Sequence, residues 1–100
     1  EREPFNRSER LPVRFPTGRI VATPAALNHL NHSGTSALDL IHRHTSGDWG
    51  DIHPEDRAAN NQALRNGYRL LSAYRIGSER IYVITEWDRS YTTVLLASEY

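Results

Sequence analysis

His44, Glu86, Arg89 and Thr93 are side chains whose types together could cleave a phosphodiester without a metal ion. That chemistry needs a general base or acid, a second proton carrier, and a cation for the crowded transition-state phosphate. His44 and Glu86 are the proton carriers. Arg89 is the cation, with Arg69 and Arg75 as alternatives, and a hydroxyl from Ser72, Thr92 or Thr93 would help hold the phosphate. A binding surface asks for less: guanidinium for anions, aromatic rings for stacking, hydroxyls for orientation. Arg69, Ser72, Tyr74, Thr85 and Thr92 are the binding candidates.

Other chemistries find little here. There is no cysteine, and therefore no thiolate nucleophile and no disulfide. No glycine-rich phosphate loop and no Gly-x-Ser-x-Gly occurs. His29 and His32 share a helix face, and His42 and His44 stand near Asp48, Asp51 and His53. Their spacing matches no metal motif such as His-Glu-x-x-His, so no metal and no cofactor is expected. Histidines at a helix C-terminus are also good partners for the helix dipole.

The elements that must position these groups begin with the last third. Gly77-Ser78 has the composition of a type II′ two-residue turn. Asp88-Arg89-Ser90 reads as a second, three-residue turn. Strands are predicted over 68–76, 79–87 and 91–97. The first turn pairs Ile76 with Glu79, Tyr74 with Ile81, Ser72 with Val83 and Leu70 with Thr85. The second pairs Trp87 with Tyr91, Thr85 with Thr93 and Val83 with Leu95. Alternation then separates two faces. Leu71, Ala73, Tyr82, Ile84, Val94 and Leu96 form the expected core face, with Arg69, Glu86 and Thr92 as a polar cluster at its edge. Ser72, Tyr74, Thr85, Thr93, Trp87 and Tyr91, among Leu70, Ile81, Val83 and Leu95, form the expected open face. Those same Thr–Thr and Trp–Tyr neighbours are ordinary sheet-stabilising pairs. A bulge in either hairpin would exchange the faces.

Upstream, Gly18–Ala22 reads as a short strand. Thr23-Pro24 starts a helix that Gly34 ends. Thr35 or Ser36 caps a second helix that Gly47 ends, with Asp39 three residues after Ser36 and Leu38 and Ile41 expected inward. Gly47-Asp48-Trp49-Gly50-Asp51 is a tight loop whose Trp49 should plug a gap between helices. A third helix runs from His53-Pro54 to about Asn66 and closes at Gly67; with only Ala58, Ala59, Ala63 and Leu64 apolar, it should lie on the surface.

Residues 1–17, with Arg2, Arg7, Arg10, Arg14 and three prolines, read as a flexible arm; residues 18–100 read as one domain. The 12 basic and 12 acidic residues balance, which argues against whole-surface attraction to nucleic acid and leaves room for a local patch. Every basic residue is arginine, a pattern that coding bias explains and that phosphate recognition would also use. No apolar run has the ~20 residues a membrane helix needs, so no membrane partner is expected. The absence of cysteine favours a reducing, cytoplasmic setting. Residue 1 is Glu rather than Met, which points to a chain that is trimmed or cut from a longer one.

Gly47-Asp48-Trp49-Gly50, Arg69-Leu70-Leu71-Ser72-Ala73-Tyr74 and the run from Val83 to Leu96 resemble a family of small uncharacterised bacterial proteins often carried on plasmids and mobile elements. The resemblance covers most of residues 15–100 and implies no settled activity. The family's usual ending resembles Leu-Pro-Glu-Glu-Tyr, of which this chain keeps Glu99 and Tyr100. The order of helices followed by a meander also resembles the barnase, EndoU, colicin and RelE ribonucleases. That likeness is architectural and implies a helical His working with Arg and hydroxyls on the sheet: His44, Arg89 and Thr93.

The expected architecture is α+β: a short N-terminal strand and two to three helices, followed by a three-stranded antiparallel meander. Two functions follow as expectations. One is a non-enzymatic binding module acting on a host protein or nucleic acid, RNA included; the other is a metal-independent ribonuclease of toxin type. A final strand exposed at the sheet edge would also invite a homodimer.

Overall fold

A computed structural model describes residues 12–100. It is α+β, with helices α1 (Pro24–Ser33), α2 (Ala37–Thr45) and α3 (Pro54–Asn66) and strands β1 (Arg19–Ala22), β2 (Leu70–Ile76), β3 (Glu79–Thr85) and β4 (Tyr91–Leu96). The meander β2-β3-β4 is present, but the sheet has a fourth member. β1 lies parallel against β4, giving the mixed order β1-β4-β3-β2. The helices and the first two meander strands intervene, which gives the chain ample length to return parallel to its start. β4 is therefore an interior strand, and the expectation of a dimerising edge there is corrected: the edges are β1 and β2.

Local chemistry places most helix ends where the sequence does; α2 stops at Thr45 with Ser46 as its C-cap, ahead of the expected Gly47. The Thr23 hydroxyl accepts from Ala26 N–H and the Ser36 hydroxyl from Leu38 N–H. Gly34 and Gly67 close α1 and α3 in the left-handed conformation. Inside α2 the inward residues are Leu40 and Ile41; Leu38, expected inward, is 58% exposed. Ala26 and Leu30 of α1 join Leu40 and Ile41 over Tyr74, Ile81, Val83 and Val94 of the sheet. Each fully buried aliphatic side chain there contributes roughly 1.5–3 kcal/mol. A second cluster gathers Phe15, Trp49, Ala63 and Leu70.

The sheet faces are the main correction. The first hairpin pairs as the sequence predicts, from Ile76–Glu79 to Leu70–Thr85. The second turn holds four residues, 87–90, because Glu86 N–H bonds to Tyr91 C=O. That one extra residue pairs Thr85 with Thr92 and Val83 with Val94, shifting β4 to the other side of the pleat. The helix-covered face therefore carries Leu70, Ser72, Tyr74, Ile81, Val83, Thr85, Thr92 and Val94, all buried. The opposite face carries Leu71, Ala73, Tyr82, Ile84, Thr93 and Leu95 in register. The surface expected to be open is thus largely the one under α1 and α2.

The outer edge of β2 is sealed. Asn60, 5% exposed on α3, donates its amide to Leu71 C=O at 2.7 Å and accepts from Leu71 N–H at 3.2 Å. Next along, Ala73 N–H bonds to Trp49 C=O and Asp51 N–H to Ala73 C=O, with Gly50 opposite Ala73. A Cβ at Gly50 would overlap the Ala73 carbonyl oxygen, and its φ of +77° is left-handed, so glycine is required. Residues 1–11 of the predicted arm, with Arg2, Arg7 and Arg10, lie outside the described residues. Its end belongs to the folded body: Phe15 is 6% exposed, and Arg14 N–H bonds to Thr45 C=O. Among the described residues no helix is long and apolar enough to cross a membrane.

Candidate functional site

His44, Ser72, Thr85 and Thr92 are brought together, but inside the protein. All four are 0% exposed. His44 Nδ1 lies 2.6 Å from Ser72 Oγ and its Nε2 2.9 Å from Thr85 Oγ1. Thr85 Oγ1 is 2.6 Å from Thr92 Oγ1, and Thr92 donates to Thr17 C=O at 2.8 Å. Counting protons fixes the direction of every bond. Thr92 has given its one proton to Thr17, so Thr85 must donate to Thr92. Thr85 then has none left, so His44 Nε2–H donates to Thr85. Neutral His44 therefore accepts at Nδ1 from Ser72. Each hydroxyl in the chain has a partner, as burial demands.

Burial, and secondarily the charge of Arg89, lowers the His44 pKa to about 3. The imidazole stays neutral at ordinary pH. Phe15 and Trp49 cover it edge-on, with ring centroids 5.1 and 5.8 Å away. Trp49 is 1% exposed and anchored by Nε1–H to Asn61 Oδ1, filling the gap the sequence assigned to it. Beside this core, Tyr74 O–H donates to Asp48 C=O, and burial raises its phenol pKa. Arg43 lies over the Tyr74 ring and holds the Asp48 carboxyl below its usual range through a 2.7 Å ion pair.

The other predicted residues do not converge on His44. Thr93 is on the opposite face, in register with Ile84, because adjacent strand residues point to opposite sides. Arg89 donates to the carbonyls of Tyr68, Glu86, Trp87 and Ala63, tying the second turn to the end of α3. It takes φ +59°, the one non-glycine left-handed residue among those described. Glu86, opposite Tyr91, is half-buried.

Arg69 is exposed, and it leads to the surface that the sequence reading missed. It donates to Tyr100 O–H, and Tyr100 packs at 5.5 Å against Tyr82 on the face away from α1 and α2. Arg75 and Arg80 are opposite each other on that face, next to the Ala73–Tyr82 pair. Arg19 is in register with Tyr91 at its far side. Arg19, Arg69, Arg75 and Arg80 thus share an open face with Tyr82, Tyr91 and Tyr100. Glu86, just past the end of β3, bonds through its N–H to Tyr91 C=O beside them. The signal was present in the sequence: the Gly77-Ser78 turn alone puts Arg75, Arg80 and Tyr82 on one side.

At the β2 end of this face is a cleft of about 460 Å³, between the Asp51–Pro54 loop, the first turn of α3 and the β2–β3 hairpin. Arg75, Arg80, Tyr82, Asp51, His53 and Asp56 line it. Arg80 donates Nη2–H to Asp51 C=O at 2.8 Å and lies 5.7 Å from the Tyr82 ring centroid. Among the described residues no group of three or more His, Asp or Glu is placed to hold a metal ion. Comparison with protein families, curated proteins and solved structures found no match.

Proposed function

We propose that this protein is a non-enzymatic module that binds single-stranded nucleic acid, RNA in the first instance, across the open face of its sheet. One observation carries the reading. A chain of zero net charge has Arg19, Arg69, Arg75 and Arg80 on the sheet face away from α1 and α2, interleaved with Tyr82, Tyr91 and Tyr100 around the buried Ala73 and Ile84. Guanidinium groups follow a phosphate backbone, and tyrosine rings give unstacked bases a surface. The resemblance to proteins of bacterial mobile elements is compatible with such a role.

The ribonuclease alternative lacks comparable support. A His44-based acid or base would have to touch substrate, and His44 is 0% exposed with both ring nitrogens engaged. Arg89 is committed to four carbonyls, and Thr93 points the other way.

The test is fluorescence anisotropy with labelled single-stranded RNA in EDTA, with gel analysis for cleavage. Saturable binding and intact RNA are expected. Contact with three or four phosphates would give a log Kd against log salt slope of about 2 to 3, and Arg75→Ala should reduce it by about 0.7. Tyr82→Ala should weaken binding by about 1–3 kcal/mol. Absence of binding at low salt, or indifference to both substitutions, would refute the proposal. Cleavage that disappears in His44→Ala would favour the ribonuclease.

A further inference from the structure

The cleft carries more than a surface that merely follows a backbone requires. Arg75 and Arg80 face each other directly across β2 and β3, a register in which like charges repel and weaken a sheet. Asp51 and Asp56 line the same volume, yet the one ion pair among the described residues is Arg43–Asp48, elsewhere. Arg80 bonds the Asp51 carbonyl rather than a carboxylate. Arg75, Arg80, Asp51 and Asp56 therefore line one cleft with no ion pair among them. A matching ligand presents an anion and hydrogen-bond donors together. The cleft is also a terminus. The backbone of residues 49–51, bonded to Ala73, and the first turn of α3 wall it off along β2.

We propose that the cleft takes the 3′-terminal ribonucleotide of an RNA strand. The last bridging phosphate lies on Arg75 and Arg80, the base packs on Tyr82, and the terminal vicinal hydroxyls donate to Asp51 and Asp56. Carboxylates accept hydrogen bonds from a ribose diol and repel a terminal phosphate. Only at the 3′ end of a conventional RNA strand are both ribose hydroxyls free beside a bridging phosphate. The volume suits one nucleotide, since small-molecule sites commonly span about 300–1,000 Å³. This inference rests on the single-strand reading and adds the polarity and the end that is recognised.

The experiment uses octauridylates carrying a 5′-fluorophore and differing only at the 3′ end: a free diol, a 3′-phosphate, or a 2′-deoxy terminus. Anisotropy titration should show the diol end binding at least about fivefold tighter than either other end. The Asp51→Asn, Asp56→Asn double variant should still bind octauridylate and lose that preference; both side chains are exposed and make no hydrogen bond that the fold needs. Equal binding of the three ends by the wild type overturns the inference and leaves the single-strand reading intact. Undiminished discrimination by the double variant overturns it as well. If no octamer binds at low salt, both fail.

Discussion

Neutral His44 makes the protein a stability sensor of acid. Its folded pKa, about 3, is below the ordinary 6.5, so between those values the unfolded chain binds a proton that the folded one refuses. Stability linked to this group is complete above about pH 6.5 and is lost as pH falls toward 3, by about 1.4 kcal/mol per unit in mid-window. His44→Gln should cost about 1–3 kcal/mol at pH 7 and flatten the decline between pH 6 and 4.5. Urea melts of both proteins across that range check it; parallel slopes would show that His44 is not the sensor. Arg89 makes a second residue-level case. Arg89→Ala loses the carbonyl bonds and keeps the left-handed backbone, whereas Arg89→Gly loses the bonds and relieves the backbone. The alanine variant should lose about 2–3 kcal/mol and be less stable than the glycine variant by about 1 kcal/mol. The reverse order in chemical denaturation would refute this account.

At the scale of elements, the β2 edge decides what the sheet can meet. Asn60 acts as a one-residue strand against Leu71, and the Trp49–Asp51 backbone continues the seal at Ala73. This protects the edge from a foreign strand and builds the wall of the cleft at the same time. Gly50→Ala should destabilise by about 3 kcal/mol through clash and strain, and should speed amide exchange at Asp51 and Ala73 ahead of α1. Uniform exchange acceleration across the molecule would mean that the seal does not open as a local unit. Asp51 and Arg75 of the cleft sit on this edge, so the same variant should weaken the proposed binding of the 3′ end.

At the scale of the whole molecule, zero net charge leaves room for a local arginine patch. Arg19, Arg69, Arg75 and Arg80 are on one face, while Arg43 and Arg89 are committed to Asp48 and to backbone carbonyls. Binding should therefore weaken steeply with salt although the net charge is zero. A salt-independent affinity would point instead to an apolar partner at exposed Trp87 and Tyr68, where a host protein could dock.

The sequence by itself determined the α+β class, most of the helix limits and the first hairpin, because these rest on local chemistry. Thr23 and Ser36 cap, Gly34 and Gly67 terminate, and Gly77-Ser78 turns, each through bonds to near neighbours. Tertiary structure alone decided which face was covered. Leu70, Tyr74, Ile81 and Val83 on one side and Leu71, Ala73, Tyr82 and Ile84 on the other are comparably apolar, so alternation could not choose. The four-residue second turn then tipped the balance by placing Val94 with Val83. It also sent Thr92, rather than Thr93, to His44's buried chain of hydroxyls. The parallel seat of β1 and the seal on β2 were likewise beyond local reading, since both join segments far apart in the chain. For that reason His44, first suited to catalysis, lies within the core with Ser72, Thr85 and Thr92, and the surface proposed for binding is the one expected to be hidden.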